Sequence, residues 1–310
     1  MPLILPKVAI DRWRGGKAAS AGVPTLFLST TKSGLFTSTW KGAGTLVFDW
    51  GDGSAPESFV LTSSGVVCSH TYPDATEKPI TITGDLLGVT YLSAPSSGLT
   101  NDISEIAKLR SLTYLSSYNT GVTGNISSLT GMSLTYLFLA TTGVTGDISA
   151  LTGMSLTNLY LYNTGVTGDI SALTGMSLTN LNLFNTGVTG DISALTGMSL
   201  TNLHLFNTGV TGDISALTGM SLTYLHLGDT GVGCDGTPFT ALTGCNIQIQ
   251  NCNWSSTEVD AYLIAAAAAG HNGCSINIGG NNAARTSASD AALAWLVNPA
   301  EGNNTITVNE

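Results

Sequence analysis

His204 and His226 lie 22 residues apart, and Asp147, Asp169, Asp191 and Asp213 repeat at the same spacing. Imidazoles and carboxylates are the side chains that bind metals and move protons. Two neighbouring imidazoles would need a third ligand to make a metal site, and Asp229 is the only acid near them. On neighbouring turns of a repeating fold, the four aspartates would form a row about 5 Å apart. Like charges at that distance repel unless they are exposed to water or bridged by a cation, and calcium favours clustered carboxylates. The preferred reading is plainer: each aspartate bonds its own backbone in a turn. No metal or other cofactor is therefore expected. His70, His204, His226 and His271 are the only histidines, and none sits in a HExxH, GxSxG or Cys-His arrangement. No enzymatic activity is expected.

A 22-residue block must position these residues. From Leu156 one copy reads LTNLYLYNTGVTGDISALTGMS, and further copies begin at Leu178 and Leu200. Met132, Met154, Met176, Met198 and Met220 mark the period. A period of this length means a solenoid, in which one block cannot bury its apolar face alone. In this copy the apolar positions are Leu156, Leu159, Leu161, Val166, Ile170, Leu173 and Met176. Leu159 and Leu161 alternate as a short strand with one buried face. Stacked copies would place these strands about 4.8 Å apart in a parallel sheet. Gly165 and Gly168 allow bends after the strand. The return from Ser171 to Ser177 is too short for a long helix and suits a 3-10 turn or irregular coil.

The outward strand positions vary from copy to copy. Block position 3 reads Tyr114, Tyr136, Asn158, Asn180, Asn202, Tyr224; position 5 reads Ser116, Phe138, Tyr160, Asn182, His204, His226; position 7 reads Tyr118, Ala140, Tyr162, Phe184, Phe206, Gly228. They point away from the core and line the concave sheet face, where solenoids usually bind. Thr at position 2 and Asn or Thr at position 8 scarcely change, so free drift does not explain the pattern. Exposed aromatics mixed with Asn and His, without charge, suit a sugar or an uncharged protein epitope. The candidate ligand-binding residues are Tyr136, Phe138, Tyr160, Tyr162, Asn182, Phe184, Asn202, His204, Phe206, Tyr224 and His226.

This pattern resembles the leucine-rich repeat family, LxxLxLxxNxL, over Leu112 to about Val232. Thr164 stands at the family's usual Asn position. Val166-Thr167-Gly168-Asp169-Ile170-Ser171 is similar to the plant-type LxGxIP segment, with Ser for Pro. Weaker copies flank the regular ones, from Val89–Leu92 to Ile247/Ile249, Ile276/Ile278 and Ile306/Val308, giving about ten coils. Ser255-Ser256-Thr257-Glu258 reads as a capping box opening a helix that ends at Gly270, and Asp290–Val297 as a second helix. The expected fold is mainly β: a leucine-rich-repeat solenoid over 87–310, regular at 112–232, with helical capping coils at 233–310.

Residues 25–86 have β character. Asp49-Trp50-Gly51-Asp52-Gly53-Ser54, followed by His70-Thr71-Tyr72, resembles the PKD-like β-sandwich. That resemblance implies a small sandwich of the kind joined to leucine-rich repeats in phage-associated and bacterial surface proteins. Asp-Gly supplies a tight turn, and Trp50 and Tyr72 would anchor a core. Asp49 and Asp52 are read as turn residues rather than cation ligands. Residues 1–24 fit neither module and are expected to be an attachment arm.

Only 10% of residues are charged, and the net charge is −10. No Lys or Arg occurs between Ser111 and Ala284, while Lys7, Arg12, Arg14, Lys17, Lys32 and Lys41 cluster near the start. An acidic body argues against nucleic acid as a partner. No run approaches a membrane span, and MPLILPKVAIDRWR, broken by two prolines, does not read as a secretory signal. Cys245 and Cys274 fall on adjacent coils, near enough for a disulfide; buried free thiols are the preferred reading. The expected function is recognition of a host cell-surface glycan or protein by a phage virion protein, joined to other virion proteins through its N-terminal segment. A bacterial surface adhesin, extracellular or on the cell surface, and a purely structural virion spacer are the alternatives. Homo-oligomerisation is left open.

Overall fold

The computed structural model describes residues 24–236 and 242–309. The arm expected over 1–24 lies outside these, save for its last residue. Strands β1 (Thr25–Thr30), β2 (Gly34–Gly42), β3 (Thr45–Asp49), β4 (Glu57–Val60), β5 (Val66–Tyr72) and β6 (Lys78–Gly84) form a small sandwich. One antiparallel sheet runs β1-β6-β3-β4, and β2 pairs with β5 in the other layer. Between them Trp40, Phe48, Trp50 and Tyr72 are buried, with Trp40 edge-on to Phe48 at 5.6 Å. The Tyr72 hydroxyl donates to the Trp50 carbonyl at 3.0 Å. Asp49 and Asp52 accept backbone N–H groups two residues on, so both hold turns as expected. His70 stacks on Trp50 and bonds Asp52 at 2.7 Å.

The sandwich and solenoid share a sheet. β2 pairs antiparallel with β7 (Val89–Ser93), the first coil strand. β7 then continues in parallel through β8 (Tyr114–Ser116), β10 (Tyr136–Phe138), β12 (Asn158–Tyr160), β14 (Asn180–Asn182), β16 (Asn202–His204) and β18 (Tyr224–His226). It ends in β20 (Asn246–Gln248), β21 (Ser275–Asn277) and β22 (Thr305–Thr307). These ten strands are the ten coils that the sequence counts. Leu137, Leu159, Leu181 and Leu203 face each other in exact register, which is what identical blocks dictate.

The structure adds a second sheet. β9 (Thr123–Asn125), β11 (Gly143–Asp147), β13 (Gly165–Asp169), β15 (Gly187–Asp191), β17 (Gly209–Asp213) and β19 (Gly231–Gly233) pair in parallel where the sequence suggested only bends. Each pairs two residues out of block register, Thr167 opposite Gly187 and Asp169 opposite Thr189. Gly168 lies at φ +107°, and a Cβ there would collide with the Asp147 carboxylate of the preceding coil. The return is a 3-10 turn, Ile170–Leu173, as expected.

Asp169 caps that turn. Its Oδ1 accepts the Ser171 N–H at 2.8 Å, and Asp147, Asp191 and Asp213 do the same in their coils. The hydrogen bonds to Ser149, Ser171 and Ser193 hold the carboxyls of Asp147, Asp169 and Asp191 below their usual range. The four aspartates therefore make the turn bonds expected of them. Asp169→Asn should be close to neutral, since Asn caps equally well, whereas Asp169→Ala, which removes the cap, should lower the unfolding midpoint. Denaturant titration of the pair checks this.

Two polar positions take their roles from the coil geometry. Thr164 does not bridge coils as an Asn would; its hydroxyl donates to the Leu161 carbonyl three residues back. Position 8 is fixed by backbone conformation, with Asn163, Asn185 and Asn207 at φ 52–54°, where Asn is tolerated. Their amides add a ladder, Asn207 to Asn185 at 2.6 Å and Asn185 to Asn163 at 2.9 Å.

The capping helices form where expected. α1 (Ile103–Ile106) is a single turn in an early coil; α2 (Ser256–Ala269) starts on the full Ser255/Glu258 capping box and ends at Gly270, and α3 is Asp290–Val297. Cys245 and Cys274 are bonded, which corrects the free-thiol reading: adjacent coils bring their Cα atoms to 4.6 Å. Cys68, Cys234 and Cys252 are buried free thiols.

Candidate functional site: the concave face

All the candidate binding residues lie at outward positions of the long sheet. Asn202 is exposed and the other ten are half-buried. Period-two alternation puts Leu inward and the variable residue outward on every strand. In-register pairing then aligns the variable residues into rows along the solenoid axis.

The rows are continuous ring contacts. Tyr162 stacks on Phe184 at 4.7 Å, Phe184 on His204 at 4.7 Å, and His204 on His226 at 4.6 Å. Phe206 leans on His226 at 4.8 Å, and Phe138 meets Tyr160 at 5.0 Å. Upstream, Tyr91, Tyr114 and Tyr136 stack at 4.0 and 4.2 Å, and Tyr118 covers Phe138 at 4.3 Å. This geometry corrects one sequence expectation. Rings stacked along the axis spend their faces on one another and turn edges and hydroxyls outward. Stacking of a sugar on their faces is therefore open only to the tilted rings, such as Tyr160, which lies at 50° to Tyr136 and 44° to Phe138.

Polar groups occupy the C-terminal half. Asn182 accepts the Phe184 N–H at 3.3 Å and Asn202 accepts the Thr223 hydroxyl at 3.0 Å; both bonds use the amide oxygen and leave the nitrogen available. Gln250 reaches His226 Nε2 at 3.0 Å. Among the polar atoms shielded from solvent, His204 Nε2, His226 Nδ1 and Gln250 Oε1 have no hydrogen-bond partner. Sequence reasoning missed Gln248 and Gln250. The signal was there: Ile247 and Ile249 continue the two inward positions, which makes Gln248 and Gln250 positions 5 and 7. Tyr91 was missed likewise, and Lys41 sits 4.6 Å over its ring.

Burial holds the imidazoles neutral. Desolvation, with the neighbouring His226 adding to it, pushes His204 down to about 4; burial also lowers His226, and brings His271 in the cap to about 4. The usual value is 6.5. The unfolded chain thus takes up protons that the folded chain refuses as pH falls from 6.5 toward 4. Stability should be fully present above pH 6.5 and decline through that window. Melting temperature against pH checks it, and His204→Gln should flatten the slope.

No family model matches the sequence, and no curated protein matches it. Solved structures do resemble it. A plant ice-binding protein is 18% identical with a TM-score of 0.44, over 71% of this chain and 74% of that one. The leucine-rich-repeat ectodomain of a plant membrane receptor kinase from Arabidopsis thaliana is 22% identical with a TM-score of 0.38, over 58% of this chain and 26% of that one. An internalin from Listeria monocytogenes is 19% identical with a TM-score of 0.31, over 72% and 83%. The fold is a leucine-rich-repeat solenoid with helical C-terminal coils and a small N-terminal β-sandwich. At these identities and scores, function has to be read from the chain's own side chains.

Proposed function

We propose that the chain is a non-enzymatic recognition protein whose concave face binds an uncharged partner on a host cell surface, a glycan or a protein. The observation that carries this is the distribution of charge. From Tyr91 on β7 to Thr307 on β22, no outward strand position holds Asp, Glu, Lys or Arg, although the chain has 20 acidic and 10 basic residues. An uncharged strip rich in half-buried rings is unusual on a free surface and suits a binding face.

We read the protein as a phage virion component. Residues 1–24, with Lys7, Arg12, Arg14 and Lys17, would dock on other virion proteins; 25–86 is read as the PKD-like module and 87–310 as the recognition solenoid. The WGDGS turns and the buried Trp50–Tyr72 core support the PKD-like reading. Mass spectrometry of purified virions tests the location. Capsid and tail genes beside the gene favour it, and secretion genes there favour a surface adhesin.

Tyr162→Ala and Phe206→Ala should each weaken attachment to host cells by about 1–3 kcal/mol, as for an anchor residue. Because Tyr162 stacks on Phe184, its loss should also cost about 0.5–1.5 kcal/mol of stability. Attachment is therefore measured well below the melting temperature. Unchanged attachment in both folded variants moves the function off the concave face and favours a structural spacer.

A further inference from the structure

We propose that two copies of the chain pair edge to edge through β5, across a two-fold axis, and so join their long sheets into one. This does not depend on what the concave face binds. It starts from the edges of the sheets. A free strand edge presents a row of unmet N–H and C=O groups, and proteins blunt such edges with short strands, charges, proline, bulges or a covering segment. Every other sheet edge among the described residues is blunted in one of these ways. β1 is covered: its Thr31 N–H donates to the Gly98 carbonyl, its Ser29 carbonyl accepts the Thr100 N–H, and the Glu105 carboxylate of α1 accepts the Phe27 N–H. β4 has four residues, follows Pro56 and carries Glu57. β9, β19 and β22 have three residues each.

β5 has none of these devices. It runs seven residues, Val66–Tyr72, pairs with β2 without a bulge, and contains no Asp, Glu, Lys, Arg or Pro. Among the described residues, no strand pairs with its outer side. Its conformation is fixed beforehand. Cys68 and Tyr72 are buried in the sandwich, and the Tyr72 hydroxyl is tied to the Trp50 carbonyl. A strand already held in shape loses little freedom when it takes a partner. Val67, Ser69 and Thr71 are exposed on its outer face, Val67 by 59%.

The composition of the strand selects a second copy as its occupant. Two-fold pairing brings the same short segment against itself, so a charge on it would come close to its own like. β5 carries no such charge, although the whole chain carries −10. Antiparallel pairing centred on Ser69 engages all seven residues and sets each Val67 against the partner's Thr71. The pairing also extends the concave face. Lys41 of β2 lies opposite Tyr91 and Thr39 opposite Ser93, while Thr39 and Thr37 lie opposite Val67 and Ser69. Directly opposed residues share a face of the sheet. The outer face of β5 therefore continues the concave one, and pairing joins two twelve-stranded sheets edge to edge.

Sedimentation velocity of the full chain, from about 1 to 100 μM where micromolar affinities show, should reach the mass of two chains. Ser69→Lys sets two ammonium groups against each other at the axis. It should give the mass of one chain, with an unchanged circular dichroism spectrum because Ser69 is exposed. Ser69→Cys should cross-link two chains under mild oxidation, since directly opposed Cβ atoms lie about 4.5–5.5 Å apart. Thr37→Cys is the control. It lies on the same face one strand further in, three strand spacings or about 14 Å from its copy, and should stay uncross-linked. A single-chain mass throughout overturns the proposal. So does a dimer that survives Ser69→Lys, or cross-linking of the Thr37 variant as fast as that of the Ser69 variant.

Discussion

Leu181→Ala should destabilise the chain by about 2–5 kcal/mol, from lost burial plus the cavity left behind. Leu181 is 1% exposed on β14, at the middle of the stack, and pairs with Leu159 on one side and Leu203 on the other. Identical coils above and below are held in register, so they cannot relax into the space without breaking their own pairing. The same truncation at the end of the stack should be milder. Ile306 on β22 is only partly buried and has one neighbouring strand. In a solenoid, stability is a sum of coil and nearest-neighbour terms, so a central defect weakens two interfaces and a terminal one weakens one. Guanidinium unfolding of Leu181→Ala and Ile306→Ala, side by side, checks both magnitude and order. Equal losses would show that the stack does not divide into nearest-neighbour units.

The repeat made most of this architecture readable. Leu159 and Leu161 alternate, the block length fixes the stacking, and the concave residues follow from those two facts. The second sheet was hidden because Gly165-Val166-Thr167-Gly168-Asp169 has the composition of a turn. Its pairing depends on glycines that let one coil's aspartate lie over the next coil's backbone, a contact between blocks that no single block displays. Position 8 misled in the other direction. Asn163 looked preserved as part of the exposed face, whereas its left-handed φ and the amide ladder account for it. The orientation of the rings was also illegible. Spacing along a strand puts Tyr162 beside Phe184, but only χ angles decide whether they offer a ligand faces or edges. The polar end was missed for a different reason: the coil before Asn246 keeps the 22-residue spacing but loses the sequence of the block, so Gln250 does not stand out as a concave residue.

Asn282→Ala should cost more than about 3 kcal/mol, although Asn282 lies outside the regular repeats. Its side chain is buried among four backbone groups. Oδ1 accepts the Cys252 and Trp254 N–H groups at 2.9 and 3.0 Å, and Nδ2 donates to the Ile249 and Ile278 carbonyls at 3.0 and 2.9 Å. One amide thus ties the coil of β20 to the coil of β21. Asn304, just ahead of β22, also links neighbouring coils, accepting the Cys274 N–H and donating to the His271 and Leu296 carbonyls. In the regular coils Thr164, Thr186 and Thr208 follow the strand instead, and each bonds the carbonyl three residues back in its own coil. Alanine would strand two donors and two acceptors, each costing about 1–3 kcal/mol when buried and unmade. Asn282→Asp should also fail, because it removes both donors and buries a charge near two carbonyls. By contrast Asn163→Gly, at an exposed left-handed position, should change little. The damage should be local at first. The cap covers the end of the stack, so amides of β20 and β21 should exchange with solvent before those of β12 and β14. Hydrogen exchange with guanidinium unfolding reads this. A midpoint equal to that of the unaltered chain would mean that the Cys245–Cys274 bond and α2, rather than the Asn282 amide, hold the cap in place.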